Sequence, residues 1–239
     1  MLFFSRKTSI EASGLLVGGV DNHSHVLYGV DDGVKTPEES LRILSFLEKA
    51  GLRELWCTPH IMEDVPNTTE KLTVRFEELK SLYNGPVILH LAAEYMMDTL
   101  YPERLHAGDL LLHGGMTVLV ETSTMAPPID LWGTLSDTQL CGYTPILAHP
   151  ERYMYMKKQD YSRLINMGVR LQLNYPSVLG FYGSEVQSRA LFILEKGWYS
   201  MVGSDCHREK NIQSQYSDKA LKPSVAEKLR PLMGGTLFA

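Results

Sequence analysis

Three cysteines in 239 residues, Cys57, Cys141 and Cys206, are odd in number and far apart, which suits reduced thiols of the cytosol rather than a disulfide frame. None of them has an arginine six positions downstream, so the Cys-x5-Arg loop of thiol-based phosphatases is absent. No apolar run approaches the roughly 18 residues needed to span a bilayer. The N-terminus, Met1 to Lys7, sets its apolar residues before its charges and lacks an h-region, so it does not read as a signal peptide. Both features predict a cytoplasmic chain without membrane insertion. There is no basic excess either. Lys and Arg number 23 against 28 Asp and Glu, a net charge of −5, which argues against a nucleic-acid partner because duplex binding draws on cations at phosphates. What remains, 44% hydrophobic and 21% charged residues, is ordinary for a soluble globular protein. The length suits one α/β domain with a large core.

The run Leu15 to Val20 reads as a buried strand that delivers Asp21-Asn22-His23-Ser24-His25. Side chains alternate faces along a strand, so Asp21, His23 and His25 point the same way. Two imidazoles at that spacing can grip a divalent cation. Such a pair also occurs on exposed strands and in cores with satisfied ring nitrogens, so its weight depends on the other histidines and acids.

Residues 1–14 read as an irregular lead-in. Thr36-Pro37-Glu38-Glu39 predicts a helix start with a capping box, Leu41, Leu44, Phe46 and Leu47 its buried stripe, and Gly51 its stop. A second helix follows Asn67 or Thr68, with Val74, Phe76, Leu79 and Leu82 expected inside. Further helices are expected over 129–141, 160–167, 184–196 and, in a C-terminal segment spanning 211–239, over 224–232. Strands are expected at 54–57, 87–93, 116–120, 145–148, 169–173 and 199–203. Alternating strands and helices predict a parallel sheet, and seven such units a single-domain α/β barrel or near-barrel with its site at the carboxyl ends of the strands.

Six of those seven strands end in His, Asp or Glu. His23, His25, His60, His149 and His207 stand there with Asp32, Glu94, Glu121 and Asp205. Nine such side chains on one rim would carry a prohibitive charge and desolvation cost without cations, so two or three metals are expected. His106 and His113 are expected in loops and solvated, and His90 inside the barrel.

Together with these residues, the run Asp31 to Ser40, Thr58-Pro59-His60, Ala148-His149-Pro150-Glu151-Arg152-Tyr153 and Gly203-Ser204-Asp205-Cys206-His207 resemble the PHP superfamily of metal-dependent phosphoesterases. The closer resemblance is to its bacterial protein-tyrosine phosphatase branch, linked to capsule and exopolysaccharide synthesis. It covers roughly residues 18–210 and implies a distorted seven-stranded barrel with three divalent metal ions, manganese first, with iron, zinc or cobalt as alternatives. His23, His25, Glu94 and Asp205 would hold one ion. Glu94 would bridge to a second completed by Glu121 and His149. Asp32, His60 and His207 would hold the third, with Asp32 where many relatives carry His. Such a cluster lowers the pKa of a shared water and clamps phosphoryl oxygens. Arg152 is the candidate for a bidentate phosphate clamp, against a surface pairing with Glu151, and Arg208 stands in for a second arginine found in some members of the branch. Tyr153, Tyr155, Tyr175, Phe181, Tyr182 and the turn Met125 to Pro128 are candidates for the substrate rim.

The resemblance implies a phosphotyrosine protein as substrate, such as the tail of a bacterial tyrosine kinase. Two alternatives stay open within enzymes: a small phosphomonoester such as histidinol phosphate, or a phosphodiester as in a nuclease, against which the third metal set counts. A non-catalytic docking module is the third class, and it would be expected to have lost ligands.

Overall fold

The structure is a computed structural model describing residues 6–234. The first five residues of the lead-in and the last five of the C-terminal segment lie outside the described residues. The strands, in chain order, are β1 (Val20–Ser24), β2 (Glu54–Cys57), β3 (His60–Ile61), β4 (Ile88–Leu91), β5 (Glu94–Met96), β6 (Thr117–Glu121), β7 (Thr144–Ala148), β8 (Arg170–Asn174) and β9 (Tyr199–Gly203). They form two sheets, ordered β1-β2-β4 and β3-β5-β6-β7-β8-β9, and their pairings are parallel.

The seven expected staves are present, two of them broken. Thr58-Pro59 separates β2 from β3, and Ala92-Ala93 separates β4 from β5, so the expected strand over 87–93 ends early as β4, and Glu94, expected just past its end, opens β5 in the other sheet. Pro59 has no N–H for a ladder, which favours a break there. Bonds from Ala92 N to Cys57 O (2.9 Å) and from Glu94 N to Pro59 O (3.0 Å) carry the pairing across both breaks. At the seam, Asp205 N donates to His23 O (2.8 Å) and His25 N to Cys206 O (3.0 Å). The result is a distorted α/β barrel, joined between β9 and β1 by a few bonds rather than a full ladder. Leu119, Ile146, Ala148 and Met201 form a small buried cluster, and Leu119 shares the strand face of Glu121.

The helices are α1 (Ile10–Ser13), α2 (Pro37–Lys49), α3 (Thr69–Leu82), α4 (Leu100–Ala107), α5 (Leu131–Leu140), α6 (Lys158–Asn166), α7 (Tyr175–Leu179), α8 (Ser184–Glu195), α9 (Glu209–Ser217) and α10 (Pro223–Leu229). The main apolar core includes Leu44 and Leu47 of α2, Leu72 and Leu79 of α3, and the strand residues Leu55, Val118 and Leu171.

Several expectations need correction. Leu15 to Gly19 turns instead of extending: Leu15 and Leu16 are buried, Val17 is exposed, and the strand begins only at Val20. The lead-in is not irregular throughout, since Ser9 caps the single turn of α1 and buries Ile10. Thr36 caps α2 as expected, accepting from Glu39 N at 3.3 Å, but the Glu39 carboxylate does not close a box there. It accepts instead from Glu209 N at the start of α9 (3.2 Å), a helix the sequence did not announce. On α2 the buried positions are Ser40, Ile43, Leu44 and Leu47, leaving Leu41 and Phe46 at the margin. On α3, Leu72, Phe76 and Leu79 face the core, while Val74 and Leu82 are exposed.

Candidate metal centre

The strand ends bring the imidazoles and carboxylates to one mouth. Glu94 sits at its middle, fully buried, with one carboxylate oxygen 3.2 Å from His23 Nε2, 3.3 Å from His25 Nε2 and 3.1 Å from His60 Nδ1. The other oxygen lies 3.0 Å from His149 Nε2. Asp205 Oδ1 stands 3.6 and 3.4 Å from the same nitrogens of His23 and His25. Glu121 meets His60 Nδ1 at 3.0 Å and His149 Nε2 at 3.9 Å. On the solvent side, Asp32 Oδ1 faces His60 Nε2 (3.5 Å) and His207 Nε2 (3.3 Å). All nine expected residues therefore share one cluster, and His60 stands between the Glu94–Glu121 pair and Asp32.

Backbone geometry shows what this convergence demands. Among the described residues, the two non-glycine residues with positive φ are His149 (32°) and Asp205 (52°), each just past the end of a strand. Side chains tolerate that region poorly, and it occurs where surrounding contacts over-determine the backbone. Gly203 has another reason to be glycine: a Cβ there would come within 2.5 Å of His23 Cβ.

Around the cluster lies a layer that the sequence reading missed. Asp31 Oδ2 holds His25 Nδ1 (2.8 Å), and Gln172 Oε1 meets His23 Nδ1 (2.9 Å) while accepting from His149 N (3.2 Å). Gln172 Nε2 donates to Asn174 Oδ1 (2.9 Å), whose own amide donates to Asp205 Oδ2 (2.7 Å). Such partners fix ring orientation and are worth about 10–100-fold in metal affinity. Gln172→Leu is therefore expected to weaken divalent-metal affinity by that factor, read by calorimetry with manganese as one probe ion; unchanged affinity would make the amide mere packing. Asp21 binds Ser204 N (2.8 Å) and braces β1 against the chain after β9, with burial raising its pKa to about 6.

The charges are tuned against one another. Burial opposes the charged form of His60, and so does His25, yet Glu94 and Glu121 outweigh both and raise its pKa to about 10. His23 and His25 are raised despite burial, by Glu94 and Asp205 and, for His25, by Asp31. Burial also works against the ionised forms of Glu94 and Asp205, but His23 and the neighbouring imidazoles hold both low. Cations fit this set, because His60 Nδ1, Glu94 Oε2 and Glu121 Oε1 are buried without a hydrogen bond in good geometry. His23 Nε2 and His25 Nε2 moreover face each other at 3.2 Å. Without metal, protons must take the cations' place. An imidazole with a raised pKa contributes stability that is complete below its ordinary value near 6.5 and lost as pH climbs through the folded value, about 10 for His60. The depressed carboxylates contribute stability that is complete above about 4.3 and lost as pH falls. Chelated protein is thus expected to melt highest between about pH 4.5 and 6.5 and progressively lower toward pH 10, as thermal scans would read. A flat profile over that alkaline range would contradict the charge balance.

Arg152 lines the same cleft as Asp32, His60, Glu94, Glu121, His149 and His207. Its Nη1 donates to Asp205 Oδ2 (2.8 Å), and its guanidinium lies 4.7 Å over the Tyr182 ring. It does not pair with Glu151, which is buried and accepts from Asn174 N, Ser177 Oγ and Tyr199 OH, latching the loop after β7 to β8 and β9. Arg208 points elsewhere: its Nη1 donates to the carbonyls of Asp32 (2.7 Å), Gly33 and His207 (2.7 Å), tying together the two loops that carry Asp32 and His207. Of the rim candidates, Tyr153 and Tyr175 are buried and cannot reach a substrate. Tyr155 and Tyr182 are partly exposed, and Phe181 and Met125 are exposed.

The remaining three histidines lie outside the cluster, and each departs in part from its expected place. His106 is on α4 rather than in a loop. His113 is buried, stacked on Trp56 at 4.1 Å with Nε2 2.8 Å from Asn22 O, rather than solvated. His90 also stacks on Trp56 (4.6 Å) and meets Glu54 (2.9 Å), but its side chain is 31% exposed rather than enclosed.

A parallel barrel that gathers imidazoles and carboxylates at the carboxyl ends of its strands is the architecture of a metal-dependent hydrolase. Residues 19–223 match the family described as capsular polysaccharide synthesis, CpsB/CapC, and the chain belongs to that family. The tyrosine-protein phosphatase CpsB of Streptococcus agalactiae is 30% identical over 208 residues, covering 79% of this chain and 82% of that protein. The protein of the same name from Streptococcus pneumoniae is 29% identical over 231 residues, 89% of this chain and 94% of its own. A crystal structure from a study of YwqE of Bacillus subtilis and CpsB of Streptococcus pneumoniae, metal-dependent tyrosine phosphatases, matches with a TM-score of 0.76 at 23% identity. That match covers 91% of this chain and 89% of the other, and supports the shared fold. Among the described residues, no helix is long and apolar enough to cross a membrane.

Proposed function

We propose that the chain is a metal-dependent protein-tyrosine phosphatase, and that in polysaccharide synthesis it counteracts a bacterial tyrosine kinase. The observation that carries this reading is Arg152 standing in the same cleft as the cluster around Glu94, in a chain of a family whose relatives bear that name. In this proposal His23, His25, Glu94 and Asp205 hold one ion. Glu94, Glu121 and His149 hold a second, and Asp32, His60 and His207 a third.

Divalent cations bound there would lower the pKa of water and neutralise phosphoryl oxygens. The chain's own residues supply the rest. Arg152 has donors to spare beyond the one held by Asp205, and a guanidinium matches two phosphoryl oxygens at once. Tyr182 beneath it and Asp205 beside it limit its movement. Ser123 and Thr124 bring hydroxyls to the cleft wall, and Met62 and Met96 bring apolar surface against which an aromatic ring can lie. A protein thiol does not compete for the role of nucleophile: burial pushes Cys57 up to about 12 and raises Cys206 as well. Arg208, bonded to three carbonyls, serves as a brace for the Asp32 and His207 loops rather than as a second clamp.

The test is elemental analysis of the purified protein together with phosphate release from a phosphotyrosine peptide, a phosphoserine peptide and histidinol phosphate, with and without chelator. Metal in the protein, preference for phosphotyrosine and loss of turnover on chelation are expected. Activity that survives chelation would end the metal mechanism, and preference for histidinol phosphate would transfer the site to small phosphomonoesters.

A further inference from the structure

Where α4 and α5 end, three side chains of metal-binding type meet away from the mouth. His106 lies in the last turn of α4, Asp137 in the last turn of α5, and Cys141 is the C-cap of α5 one turn beyond Asp137, so the latter two share a face. His106 Nε2 is 3.1 Å from Asp137 Oδ2, and His106 Nδ1 is 3.6 Å from Cys141 Sγ. One donor atom from each of the three lies within 4.8 Å of the others. We propose that His106, Asp137 and Cys141 form a zinc site, completed by water, that fastens the end of α4 to the end of α5.

Three observations support a cation here. Both helices present their carbonyl ends, whose partial negative charge favours a cation. The donor set of one thiolate, one imidazole and one carboxylate is that of a borderline-soft metal, whereas the mouth offers only nitrogen and oxygen ligands, so the two sites would select differently. The side chains also have room to close in. Those of His106 and Asp137 are 58% and 41% exposed and can rotate toward the roughly 3.3–3.7 Å donor spacing that tetrahedral zinc needs. Cys57 and Cys206 are buried, which leaves Cys141 as the partly exposed thiol among the described cysteines. It lies just before β7, at the face of the barrel opposite the strand ends.

Because the mouth contributes no thiolate in this assignment, sulfur spectroscopy separates the two sites. Metal-depleted full-length protein, first loaded with manganese, would be titrated with Co²⁺. A thiolate-to-cobalt charge-transfer band saturating at one equivalent is expected, lost in Cys141→Ser, strongly weakened in His106→Ala and displaced by Zn²⁺. Zn²⁺ should also slow alkylation of Cys141 at least tenfold. Absence of the band, its survival in Cys141→Ser, or an alkylation rate indifferent to Zn²⁺ would overturn the proposal.

Discussion

Glu94→Gln is expected to empty the mouth of metal and abolish turnover. The carboxylate meets four imidazoles, those of His23, His25, His60 and His149, at 3.0 to 3.3 Å, more than any other group in the cluster. An amide of the same shape keeps one acceptor oxygen but brings no charge and turns an NH₂ toward rings whose lone pairs are needed for coordination. Two of the three proposed ions share this side chain, so the loss should reach both. Metal-derived charge stabilisation of several kcal/mol corresponds to a fall in kcat/KM of about 10³ or more. Metal content by elemental analysis and steady-state hydrolysis of a phosphotyrosine peptide measure the two effects. A Glu94→Gln protein with full metal content and an undiminished rate would remove Glu94 from the centre of the site.

The cluster could be read from the sequence for a physical reason. In a parallel barrel the strand ends are the one place where dispersed residues converge, so ligand-type side chains that end strand after strand must meet at a single mouth. The break after β4 was hidden because Leu91-Ala92-Ala93 is continuously apolar, and only the pairing of Ala92 with Cys57 and of Glu94 with Pro59 shows where one sheet gives way to the other. On α3 two apolar stripes compete: Val74 and Leu82 lie on the one left exposed, while Leu72, Phe76 and Leu79, spaced at four and three, form the one that packs. Gln172 and Asn174 escaped notice because neutral amides look like any strand polar residue until a His23 ring and an Asp205 carboxylate are set against them. Asp31 was masked by its neighbour Asp32. His113, followed by two glycines, reads as a solvated turn, but the Trp56 ring and the Asn22 carbonyl, both far away in sequence, meet it in the interior. Apart from Asp31, only six residues from the His25 ring it holds, the missing information is a long-range contact that no local pattern encodes.

Arg152→Ala is expected to lower kcat by about 10²–10³ while leaving metal content unchanged, because its guanidinium is the one fixed positive charge among the side chains lining the cleft and, under the proposed function, the group that would meet phosphoryl oxygens. Arg152 also donates to Asp205, a proposed ligand, but that bond is one of several that orient Asp205. Asn174 Nδ2 holds the same Oδ2 at 2.7 Å, the backbone N–H of Asp205 is bonded to His23 O, and Oδ1 is the atom turned toward His23 and His25. The coordinating edge is thus supported independently of the clamp. Arg152→Lys should recover only part of the rate, because an ammonium offers a point charge without the planar fork. Arg208→Ala provides the contrast: loss of its bonds to the carbonyls of Asp32 and Gly33 should release the outermost ion before it touches kcat on the remaining metal-loaded protein. Equal loss of metal and turnover in Arg152→Ala would assign that residue to holding the site together rather than to holding phosphate.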